Sequence, residues 1–353
     1  MEEVRKIKSR LAKMKEEEEM IKIDLAREAR LIPNHTHPDV PIGEESEARL
    51  IRTFGPESHE SKRSKDHLSI CEELDLADFD AARVVSGSKF VYLKNEAARM
   101  ELALSSWAMD EAMRLGFTPV SCPDLVRDEI VDSCGFAPRS DEASQIYTVR
   151  DTDLSLVGTA EIPLGGMLSN RVFESESQLP CRMVGLSHCF RTEAGSAGKE
   201  SKGLYRLHQF TKVELFAVST PEESDNVLEE LCTFQQHLYE QLGLRCRVLD
   251  MPTQELGSSA YRKYDIEAWM PSRGGFGEIS SASNCTDYQS RRLNIKFQRD
   301  GRKYYAHTLN ATAVAVPRVL MALLETGNDG TGRVEIPKVL RPYMGGLDCI
   351  SRL

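Results

Sequence analysis

The stretch from Arg182 to Phe216 holds the densest group of side chains that could do chemistry. Two strand-like runs flank a centre of Gly, Ser, Ala and Lys, which predicts a β-hairpin with a long loop. Because side chains alternate between the faces of a strand, Arg191 and Glu193 are expected on one face of the first run. One face of the second run is expected to carry Arg206, His208, Phe210, Lys212 and Glu214.

Such a polar face predicts a site for an anionic ligand with a flat ring. The planar fork of Arg191 could clamp a phosphate or a carboxylate. Phe210 could stack a base, and Glu214 could bind an ammonium group. A solvated hairpin whose surface charges pair weakly is the alternative interpretation of the same residues.

Three further segments carry polar groups that strand alternation alone does not require. They are GTAEIPL (158–164) with Thr159 and Glu161, GEISSASNCTDYQSRR (277–292) with Glu278, and HTLNATAVAVPRVL (307–320) with Asn310, Thr312 and Arg318. Taken singly, each is also explained as a loop carboxylate, a turn or a closely packed strand.

Composition limits the class of protein. The 353 residues are 41% hydrophobic and 28% charged, which is typical of a soluble protein with one large domain and an appendage. The net charge of −10 gives no general basic field, so a polyanion would have to bind local patches. The nine scattered cysteines form no CxxC pair, which favours reduced thiols and gives no reason to expect zinc. No apolar run approaches the ~20 residues of a membrane helix, so no membrane partner is predicted.

The elements that must position these side chains can be predicted from periodicity. Helices are expected at 95–115, ended by Gly116, at 222–242 and at 317–325. Strands are expected near Pro119, at 144–149, 154–157, 246–249, 264–270, 276–281 and 304–309. Consecutive strands bracketed by helices indicate an α+β fold with an antiparallel sheet, and neither a Rossmann nor a P-loop glycine motif is present.

Residues 2–30 contain neither Gly nor Pro and predict a single helix. An apolar stripe follows heptad spacing at Val4, Ile7, Leu11, Met14, Ile21 and Leu25. A narrow stripe of this kind is typical of a helix that pairs with another helix. A charged helix lying on the main body is the alternative.

Together and in this order, the motifs resemble a known family. FRTEAGSAGKESKGLYRLHQFTKVE resembles the second signature motif of class II aminoacyl-tRNA synthetases, VPRVLMALLE the third, and the helix ending in GFTPV the first. TAE, FRTE, HQFTKVEL, EISSASN, NATA and LRPYMGGL narrow the resemblance to seryl-tRNA synthetases. RVLDMPTQELGSSAYRKYDIEAWMPSRGGFGE and NATAVAVPR are most similar to the animal mitochondrial branch, and the resemblance covers roughly residues 30–350.

The resemblance implies a class II catalytic domain with an antiparallel sheet flanked by helices. It implies activation of L-serine with ATP and Mg²⁺ to seryl-adenylate, transfer to tRNA(Ser), and a homodimer. A location in the mitochondrial matrix is implied by the resemblance alone, because the start MEEVRKIK is unlike a transit peptide. The family's N-terminal arm has two antiparallel helices, whereas one precedes the connector here. The division implied is 1–30 as an incomplete helical tRNA-binding arm, 31–85 as connector and catalytic-domain extension, and 86–353 as catalytic domain.

Site residues are carried over position by position. Arg191 resembles the arginine at the α-phosphate, Glu278 the carboxylate that holds Mg²⁺ together with Ser281, and Arg318 the arginine at the γ-phosphate. The implied ATP site comprises Arg191, Thr192, Glu193, Leu207, Phe210, Glu278, Ile279, Ser280, Ser281 and Arg318. The implied serine site comprises Thr159, Ala160, Glu161, Glu214, Asn310 and Thr312.

Two other functions remain as alternatives at this stage. An arm-less synthetase-like paralogue could load an amino acid onto a carrier protein, but such proteins resemble a zinc-dependent branch with a cysteine in the amino-acid pocket. A paralogue could also act as a non-catalytic binding subunit. That interpretation predicts lesions at Arg191, Glu278 or Arg318, and all three are intact.

Overall fold

A computed structural model describes residues 2–57, 65–136, 145–193 and 203–352. The chain divides into two compact units, Met1–His35 and Thr36–Leu353. The first unit contains helix α1 (Glu2–Arg30), so the predicted single helix is confirmed. The six apolar side chains of its heptad stripe are 53–68% exposed.

The second unit contains the remaining helices and all the described strands. The helices are α2 (His67–Glu73), α3 (Phe79–Val85), α4 (Asn95–Arg114), α5 (Asp128–Ser133), α6 (Glu161–Met167), α7 (Ser224–Gln241), α8 (Tyr288–Leu293) and α9 (Val316–Gly327). The strands are β1 (Arg49–Phe54), β2 (Ala77–Asp78), β3 (Tyr92–Leu93), β4 (Thr118–Ser121), β5 (Leu125–Arg127), β6 (Leu154–Leu156), β7 (Val172–Phe173), β8 (Cys181–Phe190), β9 (Gln209–Ser219), β10 (Cys246–Asp250), β11 (Arg262–Met270), β12 (Gly275–Asn284), β13 (Lys296–Arg299), β14 (Arg302–Tyr305), β15 (His307–Ala315), β16 (Arg333–Glu335) and β17 (Cys349–Ser351).

An eight-stranded sheet in the order β1-β10-β11-β12-β15-β9-β8-β4 forms the centre of this unit. Every neighbouring pair is antiparallel except β4 and β8, so the predicted antiparallel α+β sheet is confirmed. The larger apolar core packs one face of the sheet against α4, α7 and α9. A smaller core with residues of α5, α6 and α8 covers part of the other face, and the uncovered part forms the floor of the site described below. No helix in the described ranges is long and apolar enough to cross a membrane.

Several predicted elements differ from the observed ones. The helix predicted at 222–242 begins only at Ser224, because the residues before it form a turn and Glu222 pairs with Arg299. Of the strand predicted at 144–149, Ser144 lies outside the described residues, and only Thr148 pairs, in an isolated bridge to Ser155. The strand predicted at 304–309 is divided between β14 and β15 at Ala306.

The hairpin strands are shorter than predicted. The strands end where Phe190 faces Gln209, and one further backbone bond joins Arg191 N–H to His208 O at 2.9 Å. Arg191 and Glu193 therefore follow β8 and do not share a strand face. Glu193 has a φ of 52°, which is a left-handed conformation, so an extended strand cannot run through this residue. Arg206 and His208 likewise precede β9, which carries Phe210, Lys212 and Glu214 on one face.

A β-bulge in β12 decides which of its side chains share a face. Ser280 pairs with Ile266 and Glu278 pairs with Glu267, so Ile279 is the extra residue. Residues three apart normally point to opposite faces of a strand. Because of the bulge, Glu278 and Ser281 both lie on the half-buried face that lines the site.

A second bulge lies in β15, where Ala313 is the extra residue between Thr312 and Val314. Helix α7 bonds to the backbone at both bulges. The amide nitrogen of Gln235 donates to Ser281 O at 2.8 Å and to Thr312 O at 2.9 Å. The hydroxyl of Tyr239 donates to Ala313 O at 2.9 Å. Carbonyls displaced from the ladder thus have side-chain donors from the helix behind the sheet.

We predict that Gln235→Leu lowers the free energy of unfolding by roughly 1–3 kcal/mol, because Ser281 O loses its side-chain donor. Thr312 O keeps a donor in the variant, the hydroxyl of Ser280 at 2.6 Å. Gln235 is fully buried, so water cannot replace the lost bonds. Urea unfolding of the parent and the variant measures the difference. Gln236→Leu is the matched control, because that amide bonds only to Cys232 one turn earlier in its own helix. An equal loss in both variants would show that the bonds at the bulges are not the cause.

Candidate active site

A pocket of about 590 Å³ opens on the uncovered part of the sheet face. The ATP-site residues predicted from the resemblance line it, with one exception: Thr192, whose backbone N–H donates to Gln145 O at 3.1 Å. The pocket is also lined by Leu204, Tyr205, Arg206, Lys212, Thr312, Ala315 and Pro317.

Two arginines and a carboxylate lie at the outer end of the pocket. Arg191 places Nε and Nη2 3.4 Å from Gly158 O, and its guanidinium carbon lies 5.4 Å from the ring centre of Phe210. Arg318, in the first turn of α9, places Nη1 3.0 Å from Glu278 Oε2. Burial raises the pKa of Glu278, but the nearby charges of Arg318 and Lys263 lower it more, to about 2. This carboxylate is therefore ionised at neutral pH.

The wall opposite is formed by the segment that returns to β9. Arg206 Nη1 lies 3.1 Å from Glu193 Oε2, so the carboxylate that the resemblance assigns to a nucleotide base has a cationic neighbour. Leu207 is buried, and its backbone completes this wall beside Phe210.

The inner end holds a buried cation that the carried-over serine site does not include. Lys212 Nζ lies 2.6 Å from Glu214 Oε2 and donates to Thr159 Oγ1 at 2.8 Å. Thr312 Oγ1 donates to the same oxygen of Glu214 at 3.1 Å. Thr159, Lys212, Glu214 and Thr312 are each at most 6% exposed. Strand alternation had placed Lys212 beside Glu214, but it could not show that the two side chains meet.

Glu161 belongs to an adjoining polar network. Its Oε1 accepts from Asn310 Nδ2 at 2.8 Å and from Gln289 Nε2 at 2.6 Å, and Gln289 Oε1 accepts from Thr308 Oγ1 at 2.7 Å. Burial, and then the charge of Glu214, raise the pKa of Glu161 to about 7. Sequence reasoning missed Gln289 and Thr308, because nothing in their spacing relates them to residue 161. Ala160 is fully buried, and its carbonyl accepts from Leu164 N–H at 3.0 Å.

The oxygen donors of Glu278 and Ser281 suit a hard divalent cation such as Mg²⁺. The bulge at Ile279 places both on the pocket face. Elsewhere in the described ranges, no three His, Cys, Asp or Glu side chains are grouped as a protein-only metal site would require. The residues therefore fit a cation that takes its remaining ligands from a bound substrate.

The arrangement can bind two substrates side by side. Guanidinium groups and an aromatic ring occupy the outer part, where they suit the phosphates and base of a nucleotide. Of the carried-over serine-site residues, only Thr312 lines the pocket. The carboxylates of Glu214 and Glu161 are buried behind Lys212 and Thr312, where they suit a small ammonium compound.

Comparison with known proteins agrees with this arrangement. Residues 147–327 match the model of the tRNA synthetase class II core domain (G, H, P, S and T). The chain is 47% identical over 347 residues to the serine--tRNA ligase of Rubrobacter xylanophilus, covering 98% of this chain and 81% of that protein. It is also 47% identical over 320 residues to the mitochondrial serine--tRNA ligase of Saccharomyces cerevisiae, covering 89% of this chain and 71% of that protein.

A solved structure gives the same result. The seryl-tRNA synthetase from Pyrococcus horikoshii complexed with ATP is 40% identical, with a TM-score of 0.91 over 99% of this chain and 82% of that one. Identity at this level over nearly the whole chain, together with the antiparallel sheet and the two-part pocket, leads to one conclusion: the chain belongs to the serine--tRNA ligase family of class II aminoacyl-tRNA synthetases.

Proposed function

We propose that this chain joins L-serine to tRNA(Ser) in two steps within the pocket. In the first step, a carboxylate oxygen of serine attacks the α-phosphorus of ATP, the bond to the β-phosphate breaks, and pyrophosphate leaves. In the second, a hydroxyl of the terminal adenosine of the tRNA attacks the carbonyl carbon of seryl-adenylate, and AMP leaves. The observation that carries the proposal is that Arg191, Glu278 and Arg318 line one pocket with Lys212 and Thr312, and that these last two bond to the buried Glu214.

Arg191 and Arg318 act on the phosphates of ATP in this proposal. Arg191 stabilises the charge that develops at the α-phosphate during attack, and Arg318 binds the γ-phosphate. Because Arg318 is held by Glu278 and by Tyr205 O at 3.3 Å, its fork is oriented before ATP binds. Orientation of both reactants contributes ~7–11 kcal/mol in favourable cases, so no covalent intermediate with the protein is needed.

The adenine lies between Phe210 and the backbone of Leu207, with Glu193 at its amino group. Phe210 already has the guanidinium of Arg191 over its ring, so base and arginine share one aromatic surface. Ile279 and Ser280 shape the floor through the bulge, and Thr192 holds the backbone that leads from Arg191 to Glu193.

Serine lies at the inner end of the pocket. Its ammonium binds Glu214, Glu161 and Thr159. It competes there with Lys212, which bonds to Glu214 and Thr159. Its hydroxymethyl group is enclosed by Asn310 and Thr312, and the backbone at Ala160 limits the depth of the pocket. Competition with a resident ammonium makes the site selective for a substrate that supplies its own positive charge.

Glu278 and Ser281 would hold a Mg²⁺ ion together with ATP phosphates. When bound, the ion neutralises charge on the phosphates of ATP and on the departing pyrophosphate. The low pKa of Glu278 keeps its carboxylate available as a ligand at neutral pH. No zinc is part of the proposal.

The homodimer is proposed from surface chemistry as well as from the resemblance. Strand β4 is an edge of the described sheet. Before it, α4 exposes Leu102 and Met113 at 70% and 41%, and Leu115 directly after the helix is 57% exposed. An unpaired edge beside exposed apolar side chains is typical of an interface. The mitochondrial matrix is proposed from the animal mitochondrial resemblance and is supported by one mitochondrial relative among bacterial ones.

In this proposal, α1 is the arm that binds tRNA(Ser). Six Lys and Arg residues, and no acidic residue, lie between positions 4 and 15. Side chains along this part of the helix are exposed, so they can neutralise phosphates without a binding groove. The division of the chain into arm, connector and catalytic domain, with boundaries after residues 30 and 85, remains a prediction.

The two alternatives have less in their favour. Loading of a carrier protein would call for a cysteine in the amino-acid pocket, whose positions here are Glu214 and Thr312. A non-catalytic subunit would not need Arg191, Glu278 and Arg318 to converge on one pocket as they do.

We predict that the parent exchanges pyrophosphate into ATP only when serine is present and that Arg191→Ala lowers this rate by ~10²–10³. The physical reason is the loss of one donor where charge develops. Arg299→Ala is the matched control, because Arg299 pairs with Glu176 and Glu222 outside the pocket. A parent without serine-dependent exchange would contradict the function. An Arg191→Ala variant within about tenfold of the parent, well short of the loss expected for such a donor, would remove Arg191 from the mechanism.

A second prediction follows from the raised pKa of Glu161. A carboxyl with a pKa of about 7 is largely neutral below that pH, and only its ionised form attracts the ammonium of serine. We therefore expect kcat/KM for serine to rise with pH up to about 7 and then to level off. Glu161→Gln is neutral at every pH, so its lower kcat/KM should lack this limb. A variant with the same limb as the parent would assign the pH dependence to another group.

A third prediction concerns α1. Replacing its six basic residues between positions 4 and 15 by Gln should raise KM for tRNA(Ser) and weaken its salt dependence by up to about one logarithmic slope unit per lost contact. Serine-dependent pyrophosphate exchange should not change. The control replaces the four acidic residues at positions 16–19 by Gln, which should not weaken charging. Unchanged charging by the basic-residue variant would mean that α1 does not contact the tRNA.

A further inference from the structure

A buried histidine–glutamate pair lies behind the ATP side of the pocket. His67 is the first residue of α2, 5% exposed, and Glu325 is in α9, 1% exposed. His67 Nδ1 lies 3.1 Å from Glu325 Oε1, and the backbone N–H of His67 donates to the same oxygen at 3.2 Å. Neither residue lines the pocket.

The other ring nitrogen of His67 bonds to the pocket wall. The backbone N–H of Leu204 donates to His67 Nε2 at 3.3 Å. At Nε2 the ring must accept from Leu204 N–H, and at Nδ1 it must donate to the carboxylate of Glu325. Both bonds form only when the ring carries its proton on Nδ1. The imidazole is therefore an oriented connector between Glu325 and the backbone of Leu204.

Glu325 also bonds to the turn between β11 and β12. Its Oε2 accepts from Ser272 N–H at 3.1 Å. Burial raises the pKa of Glu325, but the hydrogen bonds from His67 and Ser272 lower it further, to a value below the usual one. The carboxylate thus stays ionised and joins α2, α9 and this turn.

These joined segments determine where Tyr205 lies. Tyr205 follows Leu204 directly, and its ring has the guanidinium carbon of Arg318 at 4.7 Å and that of Arg273 at 4.5 Å. Arg273 follows Ser272, and Tyr205 O accepts from Arg318 Nε at 3.3 Å. A displacement of Leu204 would therefore move Tyr205 and the arginine proposed to bind the γ-phosphate.

The backbone next to Leu204 is specialised for this contact. Gly203 has a φ of 67°, a left-handed conformation that favours glycine. A Cβ added at Gly203 would collide with His67 Nε2. The close approach of the chain to the imidazole is thus provided by the local sequence.

We propose that His67, oriented by Glu325, is a positioning residue for ATP: its Nε2 holds the wall from Leu204 to Leu207 in the conformation that binds the nucleotide. The inference rests on the proposed function only in taking ATP as the ligand of this wall. The competing explanation is a buried pair that merely stabilises α2.

Two substitutions separate the two bonds of the imidazole. The side-chain oxygen of Gln reaches the position of Nε2, so His67→Gln can still accept from Leu204 N–H. The amide nitrogen of Asn reaches the position of Nδ1, so His67→Asn can still donate to Glu325 but leaves Leu204 N–H without an acceptor. The readouts are the Kd of ATP from calorimetric titration and the KM values in serine-dependent exchange.

His67→Asn should raise Kd and KM for ATP about tenfold, which is the effect of one unmade buried hydrogen bond, with KM for serine within about twofold. His67→Gln should stay within about threefold of the parent, an effect well below the loss of a whole bond. Gly203→Ala should weaken ATP binding as His67→Asn does, and it decides the matter if His67→Asn fails to fold. The control is Asp66→Ala, which removes the N-cap of α2, where Asp66 Oδ1 accepts from Ser69 N–H at 2.8 Å, and leaves the imidazole in place.

Equal effects of His67→Asn and His67→Gln would overturn the proposal, as would an Asp66→Ala variant that weakens ATP binding as much as His67→Asn. ATP affinity that none of these changes alters would also overturn it. A parent that binds ATP but lacks serine-dependent exchange would instead contradict the proposed function, and the calorimetric comparison would still test the role of His67.

Discussion

The geometry of the pocket depends on satisfying backbone groups at two bulges. A buried carbonyl without a donor is costly, so a strand can be interrupted inside a sheet only where another group supplies the bond. Here α7 supplies it, through Gln235 to Ser281 O and Thr312 O and through Tyr239 to Ala313 O. The bulge in β12 places Glu278 and Ser281 on one face, and the bulge in β15 follows directly after Thr312, which pairs with Glu214. A helix on the far face of the sheet thus determines which side chains meet on the near face.

The carboxylates of the site differ in charge because their surroundings differ. Glu278 has Arg318 and Lys263 nearby, and its pKa is about 2. Glu161 is buried near the negative charge of Glu214 and accepts only neutral amide donors from Asn310 and Gln289, and its pKa is about 7. One carboxylate is thereby a permanent anion beside Arg318, and the other changes its charge near neutral pH. A protein of net charge −10 can bind a triphosphate because its cations are concentrated locally.

Sequence reasoning predicted many residues of this site but not the long-range hydrogen bonds that connect them. The hairpin, the long helix before Gly116 and the antiparallel sheet follow from periodicity and turn residues, which are local properties. The ATP-site residues followed from motif resemblance, and all but Thr192 line the pocket. The roles assigned to them remain proposals. Lys212 between Glu214 and Thr159, and Gln289 on Glu161, were not predicted, because these contacts join positions 53 and 128 residues apart.

The sequence by itself determined the elements, the absence of nucleotide-loop motifs and the family, since each depends on residue types at short, fixed spacings. Only the tertiary structure decided which faces those residues occupy. One extra residue reverses the alternation of a strand, and nothing in EISSASN marks Ile279 as that residue. The tertiary structure also decided that His67 lies beside Glu325, 258 residues further along the chain, and that Leu204 donates to it. Hydrogen bonds of this kind form between segments that packing brings together, and their partners are independent of distance along the chain.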